Sequence, residues 1–305
     1  MTLDGPIDVV VNAIAGSAEC TAFVDELRNL VNHDSRWRIA IAFSGPELQR
    51  LVDQAVKSDS QIVVAAAGDG TVNTVANRLV GTSKALGVLP LGTLNHFAKD
   101  LHLPLNLEDA VATIAEGNAI EVDTADVNGH KFVNNSSLGL YPHIVTERQK
   151  RQRLLGWGKW PAFLWAAWSV LKRYPFVEVR LIADGRSFRR RTPLVFIGNN
   201  RYEMEGLNIG ARASLQEHQL SLYTTNQTNR IGLVVLALRA LFRRLRMDND
   251  FLEVCTTEIW INTRHRHLRV ALDGEVTVLI PPLHYTILPR SLRVIVPRES
   301  NVQST

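Results

Sequence analysis

The sequence predicts an α/β chain of two domains, an N-terminal doubly wound, mainly parallel α/β domain followed by a mostly antiparallel β-sandwich. Three observations carry this. Nearly continuous apolar runs alternate with helical periods over residues 1–122, residues 123–305 turn to short β-rich pieces, and Asn-Gly or Asp-Gly pairs punctuate those pieces. A strand buried on both faces reads as an unbroken apolar run, as in a parallel sheet covered by helices. Asn-Gly and Asp-Gly supply the two positive-φ positions of a tight hairpin, which joins antiparallel neighbours.

In the first half IDVVVN precedes TAFVDELRNLVN, WRIAIAF precedes PELQRLVDQAVK, QIVVAAAG precedes TVNTVANRLVG, and ALGVLPLG precedes NHFAKDL. NLEDAVATIAEG adds an amphipathic helix that Asn106 can cap. In the second half AIEVDTADVNGHKFVNNSS turns at Asn128-Gly129 and VEVRLIADGRSFRRR at Asp184-Gly185. QLSLYTT, EIWINT, HLRVALDGEVTVLI and LHYTILPRSLRVIVP continue in short β-rich pieces. Two helical stretches interrupt them, GWGKWPAFLWAAWSVLKRY and IGLVVLALRALFRRLR. The domains are expected at 1–122 and 123–305, with room for the last strand to return to the first domain.

With 46% apolar and 21% charged residues the composition is that of a soluble globular chain. Cys20 and Cys255 stand far apart, which argues against a disulfide framework or a structural zinc site and favours a reducing compartment. The N-terminus shows no basic leader, and Pro161–Leu171 falls short of the roughly 20 residues that span a bilayer, so a cytoplasmic location is expected. The net charge of +4 suits anionic partners without choosing among them.

Gly68-Asp69-Gly70-Thr71 ends one strand and opens directly into a helix. Glycines there let backbone approach a phosphate, and a helix N-terminus offers free N–H groups and the positive end of its dipole. Asp69 could orient a metal or a phosphate-bound water. Gly-Asp-Gly is also ordinary tight-turn chemistry. Pro90-Leu91-Gly92-Thr93-Leu94-Asn95 forms a second strand-to-helix junction, and Val11-Asn12 ends the first strand. In a parallel sheet all three lie at the carboxyl edge, where open α/β folds bind ligands.

At these residues the chain resembles the diacylglycerol kinase-like family of lipid kinases, which includes bacterial lipid kinases and sphingosine kinases. AGDGTVNTVAN is similar to the family's GGDGTxNxV loop, LPLGTLNHFAKDLHLP to its P-x-GT-x-NDFA-R segment, and LDGE at 272–275 to its C-terminal signature. The resemblance implies a lipid kinase that uses ATP and Mg2+. Ala67, Gly68, Asp69, Gly70, Thr71, Val72 and Asn73 would wrap the nucleotide phosphates. Asn12, Gly92, Thr93 and Asn95 would complete the nucleotide site. Glu275 matches the residue proposed to accept the proton of the lipid hydroxyl, with Asp273 near enough to share that role. The family's magnesium segment aligns with Leu215-Gln216-Glu217-His218, where Glu217 offers a carboxylate and Ser214 and Gln219 match carbonyl donors. Several positions depart from the pattern: Ala67 replaces a glycine, Ala13 a proline and His96 an aspartate, and Leu215-Gln216-Glu217-His218 stands for the family's L-D-D-G.

Trp157, Trp160, Trp165 and Trp168 lie between basic flanks in the first helical stretch. Such a segment suits docking at an anionic membrane interface, and it equally suits a core helix with a solvated basic edge. The expected partners are a lipid substrate and, peripherally, a membrane surface; no nucleic-acid recognition motif is present, and there is room for a homodimer. Two alternatives remain: a catalytically degenerate nucleotide or lipid sensor, and a kinase for a soluble acceptor.

Overall fold

In a computed structural model the chain is described for residues 5–14, 17–92, 95–139, 177–183, 185–205, 208–212, 214–225 and 251–298. It divides into two compact units, residues 1–124 with 289–305, and residues 125–288. Both helical stretches expected in the second half, with their four tryptophans, lie outside the described residues.

The first unit alternates strand and helix through β1 (Ile7–Asn12), α1 (Ser17–Val31), β2 (Trp37–Ala42), α2 (Gly45–Lys57), β3 (Ile62–Ala67), α3 (Asp69–Leu79), β4 (Ala85–Pro90), α4 (His96–Asp100) and α5 (Leu107–Glu116). The strands run parallel in the order β2-β1-β3-β4. The unbroken apolar runs follow from cover on both faces. Val9, Val11, Val64 and Ala66 pack with Val24 and Leu27 of α1 and Ile114 of α5, while α2 and α3 lie against β1, β2 and β3. Local chemistry starts the helices where the sequence expects. Ser44 accepts the Glu47 N–H while the Glu47 carboxylate reaches back to the Phe43 N–H, and Asn106 Oδ1 accepts the Asp109 N–H at 2.9 Å.

Two strands pass from one unit to the other, β5 (Asn118–Val127) and β18 (Leu283–Val296). Between them lie β6 (His130–Phe132), β7 (Asn135–Gly139), β8 (Val177–Ala183), β9 (Arg186–Thr192), β10 (Leu194–Asn199), β11 (Tyr202–Glu205), β12 (Asn208–Arg212), β13 (Leu220–Thr225), β14 (Phe251–Thr256), β15 (Glu258–Thr263), β16 (Leu268–Leu272) and β17 (Glu275–Leu279). Six form an antiparallel sheet, β14-β13-β10-β7-β16-β17. The other layer is β9-β8-β15 with the start of β18, flanked by the β5–β6 hairpin. Alternate residues of both layers fill one core, among them Leu138, Ile197, Leu222 and Val270 from the first and Leu181, Ile261 and Tyr285 from the second. That two-layer packing makes the unit a sandwich.

The hairpin pairs take the backbone that Asn-Gly and Asp-Gly are chosen for: φ is 50° and 85° at Asn128-Gly129, and 48° and 86° at Asp273-Gly274. LHYTILPRSLRVIVP, expected as short pieces, is one strand of 14 residues. It bends at Arg290, where φ is 50° and the backbone N–H bonds Asp123 Oδ1 at 2.9 Å. Beyond the bend it pairs parallel with β4. Cys20 and Cys255 are both free. Among the described residues no helix is long and apolar enough to cross a membrane.

Candidate functional site

The strand order of the first unit fixes where its chemistry gathers. The chain leaves β1 toward β2 on one side, then crosses back to β3 on the other, so the topological switch lies between the carboxyl ends of β1 and β3. Asn12 ends β1 and Ala67 ends β3. Their loops touch directly: Asn12 Nδ2 donates to Thr71 Oγ1 at 2.7 Å, and Asn12 Oδ1 accepts the Ile14 N–H at 3.0 Å. Asn12 therefore turns the chain out of β1 and holds the first turn of α3.

Gly68 is the N-cap of α3, and among the described residues no side chain caps that terminus. The Thr71 and Val72 N–H groups bond back to the Gly68 carbonyl, which leaves the earlier N–H groups of the turn to face outward with the dipole's positive end. Gly70 opens onto free space, since a Cβ there would meet nothing within 4 Å. Val72 and Asn73 turn inward and are buried, so their contribution to the loop is its backbone.

The β4–α4 loop braces this turn from behind. A Cβ on Gly92 would stand 2.8 Å from Gly68 Cα and 2.7 Å from Asn95 Oδ1. Asn95 sits in the left-handed region at φ 49° and donates through Nδ2 to the Gly92 carbonyl at 2.7 Å. Asp69 Oδ1 receives the Phe97 N–H at 3.4 Å. Ala67, in place of the family's glycine, buries its methyl group in the sheet. Thr93 lies outside the described residues. Gly92→Ala is expected to force the two loops apart, lowering stability by about 1–3 kcal/mol and weakening nucleotide binding. Thermal unfolding with and without ATP measures both, and unchanged values would show that the loops are not coupled.

In the second unit the Asp273-Gly274 turn joins β16 to β17. The Asp273 carboxylate gathers the chain before β7: Oδ2 accepts the Val133 N–H at 2.9 Å, and Oδ1 those of Asn134 and Asn135 at 2.8 and 3.0 Å. From the other side buried Arg212 donates to the Val133 carbonyl and to Asn134 Oδ1, both at 2.7 Å, and its guanidinium lies over the Tyr202 ring. Burial pushes the Asp273 carboxyl up to about 6, against the three N–H bonds and the Arg212 charge, which pull it down. Both oxygens are committed to this clamp. Asp273 thus holds the turn, while Glu275, the first residue of β17, is exposed. Sequence reasoning missed Arg212 and Asn134. A lone arginine in a β-rich segment carries no signal of burial, although the asparagine pair of VNN was a visible hint.

The donors at Ser214, Glu217 and Gln219 do not fit a resident magnesium ion. Magnesium wants several oxygens in octahedral array. Glu217 Oε2 instead receives the Gln219 side-chain amide at 2.8 Å and the Arg201 N–H at 3.3 Å, and the Gln219 carbonyl receives the Asn200 N–H at 2.9 Å. N–H donors thus already engage oxygens that the segment would offer a cation. Among the described residues no three His, Cys, Asp or Glu side chains gather for a metal.

Comparison with known proteins agrees with this architecture. The diacylglycerol kinase catalytic domain family matches residues 6–127, and the YegS C-terminal NAD kinase beta sandwich-like domain family matches residues 143–296. "Probable lipid kinase YegS" from Salmonella gallinarum and that from Salmonella newport are each 28% identical over 271 residues, covering 85% of this chain and 86% of theirs. A crystal structure of a diacylglycerol kinase from Bacillus anthracis str. Sterne superposes with a TM-score of 0.70 at 19% identity, over 95% of this chain and 96% of that one, a likeness of fold. With both of its halves matched in order, the chain belongs to the diacylglycerol kinase-like family of lipid kinases, phosphotransferases whose acceptor is an alcohol group.

Proposed function

We propose that this chain transfers the γ-phosphoryl group of ATP to the hydroxyl of diacylglycerol or a similar lipid at a membrane surface. The observation that carries the reading is the braced, uncapped start of α3, with Asn12 bonded to Thr71 and Gly68 set against Gly92. Rigid backbone N–H groups at a helix start favour the charge of nucleotide phosphates and need no reorganisation as the transfer proceeds. ATP enters as its magnesium complex, so the ion arrives with the substrate. The lipid oxygen attacks the γ-phosphorus, the bond from that phosphorus to the β-bridging oxygen breaks, and the hydroxyl proton passes to Glu275. Phosphoryl transfer of this kind is catalysed mainly by positioning and charge neutralisation.

The test is incubation of the full chain with radiolabelled ATP, magnesium and mixed-lipid vesicles containing diacylglycerol, beside Asp69→Ala. A labelled lipid from the wild type that is lost in the variant is the expected result. ATP binding without any labelled lipid would favour the degenerate sensor, and label on a water-soluble alcohol would favour the soluble-acceptor kinase.

A further inference from the structure

The second unit holds a small buried cluster apart from the main core of its sandwich, made of Phe196, Tyr202 and Tyr223. Phe196 on β10 pairs with Tyr223 on β13, one position along from the core pair Ile197 and Leu222. Successive side chains of a strand point to opposite faces, so both rings lie on the face of the six-stranded sheet away from that core. Tyr202 opens β11, and its ring meets Phe196 edge-on, with centroids 5.4 Å apart and planes at 84°. Tyr223 tilts against Phe196 at 5.9 Å. Aromatic pairs in these geometries gain beyond the area they bury. The Arg212 guanidinium covers the Tyr202 ring at 5.5 Å from its centroid.

The polar tip of Tyr202 serves one stretch of chain. Its hydroxyl donates to the Asn134 carbonyl at 3.0 Å. That carbonyl already accepts the Asn199 N–H at 2.9 Å, so burial alone does not call for a second donor. Two donors from different strands fix the direction of the carbonyl. The neighbouring Val133 carbonyl is fixed in the same way, by Asn199 Nδ2 at 2.9 Å and Arg212 at 2.7 Å. The N–H groups of this stretch go to the Asp273 carboxylate, and the Asn135 carbonyl accepts the Asp273 N–H at 2.9 Å. The stretch is therefore gripped through its carbonyls and through its N–H groups. The second grip is the turn itself, which closes by pairing Leu272 with Glu275.

Tyr202 is held in its turn. Its backbone N–H donates to the Tyr223 hydroxyl at 3.2 Å, and that hydroxyl donates to Glu253 Oε1 at 3.1 Å. Arg201, one residue before, reaches the same oxygen through Nε at 2.9 Å. Burial pushes the Tyr223 hydroxyl up to about 12, so it keeps its proton at neutral pH.

We infer that Tyr202 is a positioning residue for the phosphoryl transfer, setting the place of Glu275 through Asn134 and the Asp273-Gly274 turn. This role rests on Glu275 as the proton acceptor and deepens that reading by naming what holds the acceptor in place. A ring fixed between an aromatic edge and a guanidinium gives its hydroxyl little freedom, which suits a rigid stop. A reacting group misplaced by about 1 Å can lose on the order of a hundred-fold in rate, even when the altered residue lies far from the chemistry.

The test is steady-state kinetics of the full chain with ATP, magnesium and short-chain diacylglycerol, with Tyr202→Phe made both in the wild type and in Glu275→Gln. Phenylalanine keeps the ring and its packing and removes only the bond to Asn134. In the wild type kcat should fall roughly tenfold with KM for ATP unchanged. In Glu275→Gln the same change should leave kcat where it was, because no proton acceptor is left to place. Tyr223→Phe, which loosens Tyr202 from behind, should show the same pattern. Turnover is counted per molecule that binds a fluorescent ATP analogue, so unfolded protein does not enter. Wild-type turnover in Tyr202→Phe overturns the assignment. So does an equal fractional loss in both backgrounds, which a merely structural bond would give. Full turnover in Glu275→Gln is a separate failure, since it removes the proton acceptor and the positioning role with it.

Discussion

Glu275→Gln is expected to lower turnover on the lipid acceptor by roughly 10²–10⁴-fold while nucleotide binding stays unchanged. Glutamine keeps the size and the hydrogen-bonding reach of glutamate but cannot take a proton. The lipid hydroxyl needs a place for its proton as its oxygen bonds to phosphorus, and Glu275 begins β17 with its side chain exposed. The neighbouring Asp273 carboxylate is engaged by three backbone N–H groups, whereas Glu275 stands exposed. Steady-state kinetics with a soluble short-chain lipid, together with titration of a fluorescent ATP analogue, separates the two effects. Turnover retained in Glu275→Gln would remove it as the proton acceptor.

Asp273→Asn should lower the stability of the second unit by about 2–4 kcal/mol. The turn itself tolerates it, since Asn-Gly suits a tight hairpin at least as well as Asp-Gly. What fails is the clamp. An amide presents one oxygen and one N–H pair to three converging backbone donors, and Arg212 loses its nearby negative charge. Denaturant unfolding followed by tryptophan fluorescence measures the loss, and turnover should fall with it, because the same turn carries Glu275. The pH dependence has a definite sign. The folded carboxyl stands at about 6, above its ordinary 3.8. Between these values the folded chain holds more protons than the unfolded one, so this group's contribution is fully present at lower pH and is lost as pH rises through 6. Asp273→Asn should lack that slope. A variant whose stability follows the wild-type curve from pH 4 to pH 7 would show that Asp273 does not titrate in this range.

Much of this organisation is readable before folding, because the relevant physics is local. IDVVVN and QIVVAAAG announce doubly covered strands through composition alone, Ser44 and Asn106 mark helix starts, and Asn128-Gly129 and Asp273-Gly274 mark hairpins. The loops that follow β1, β3 and β4 were legible for the same reason, being marked by asparagine and glycine at strand ends. What escaped is long-range. The Asn12–Thr71 bond spans 59 positions, the Asp273 clamp up to 140, and the bond of Arg212 to Val133 spans 79. No window of sequence holds both partners of such a contact. Pro289-Arg290 reads as a break because proline offers no N–H and interrupts a ladder. The strand continues there only because Asp123, far earlier in the chain, takes the Arg290 N–H. The partner of Glu217 is long-range in the same way, since Arg201 lies outside the magnesium-like segment.

The bent strand β18 also makes the first unit discontinuous. Its last part, from Pro289 to Val296, closes a unit that otherwise ends at Thr124, and the two crossing points are stitched by Thr124 Oγ1 to Ser291 Oγ at 2.7 Å and by Asp123 to the Arg290 N–H. During synthesis β4, with its apolar sequence ALGVLP, must therefore wait with an open edge until nearly the whole chain has left the ribosome. An unpaired apolar edge is a template for wrong partners. The nascent nucleotide unit thus depends for its safety on how quickly the inserted sandwich folds and delivers the closing strand.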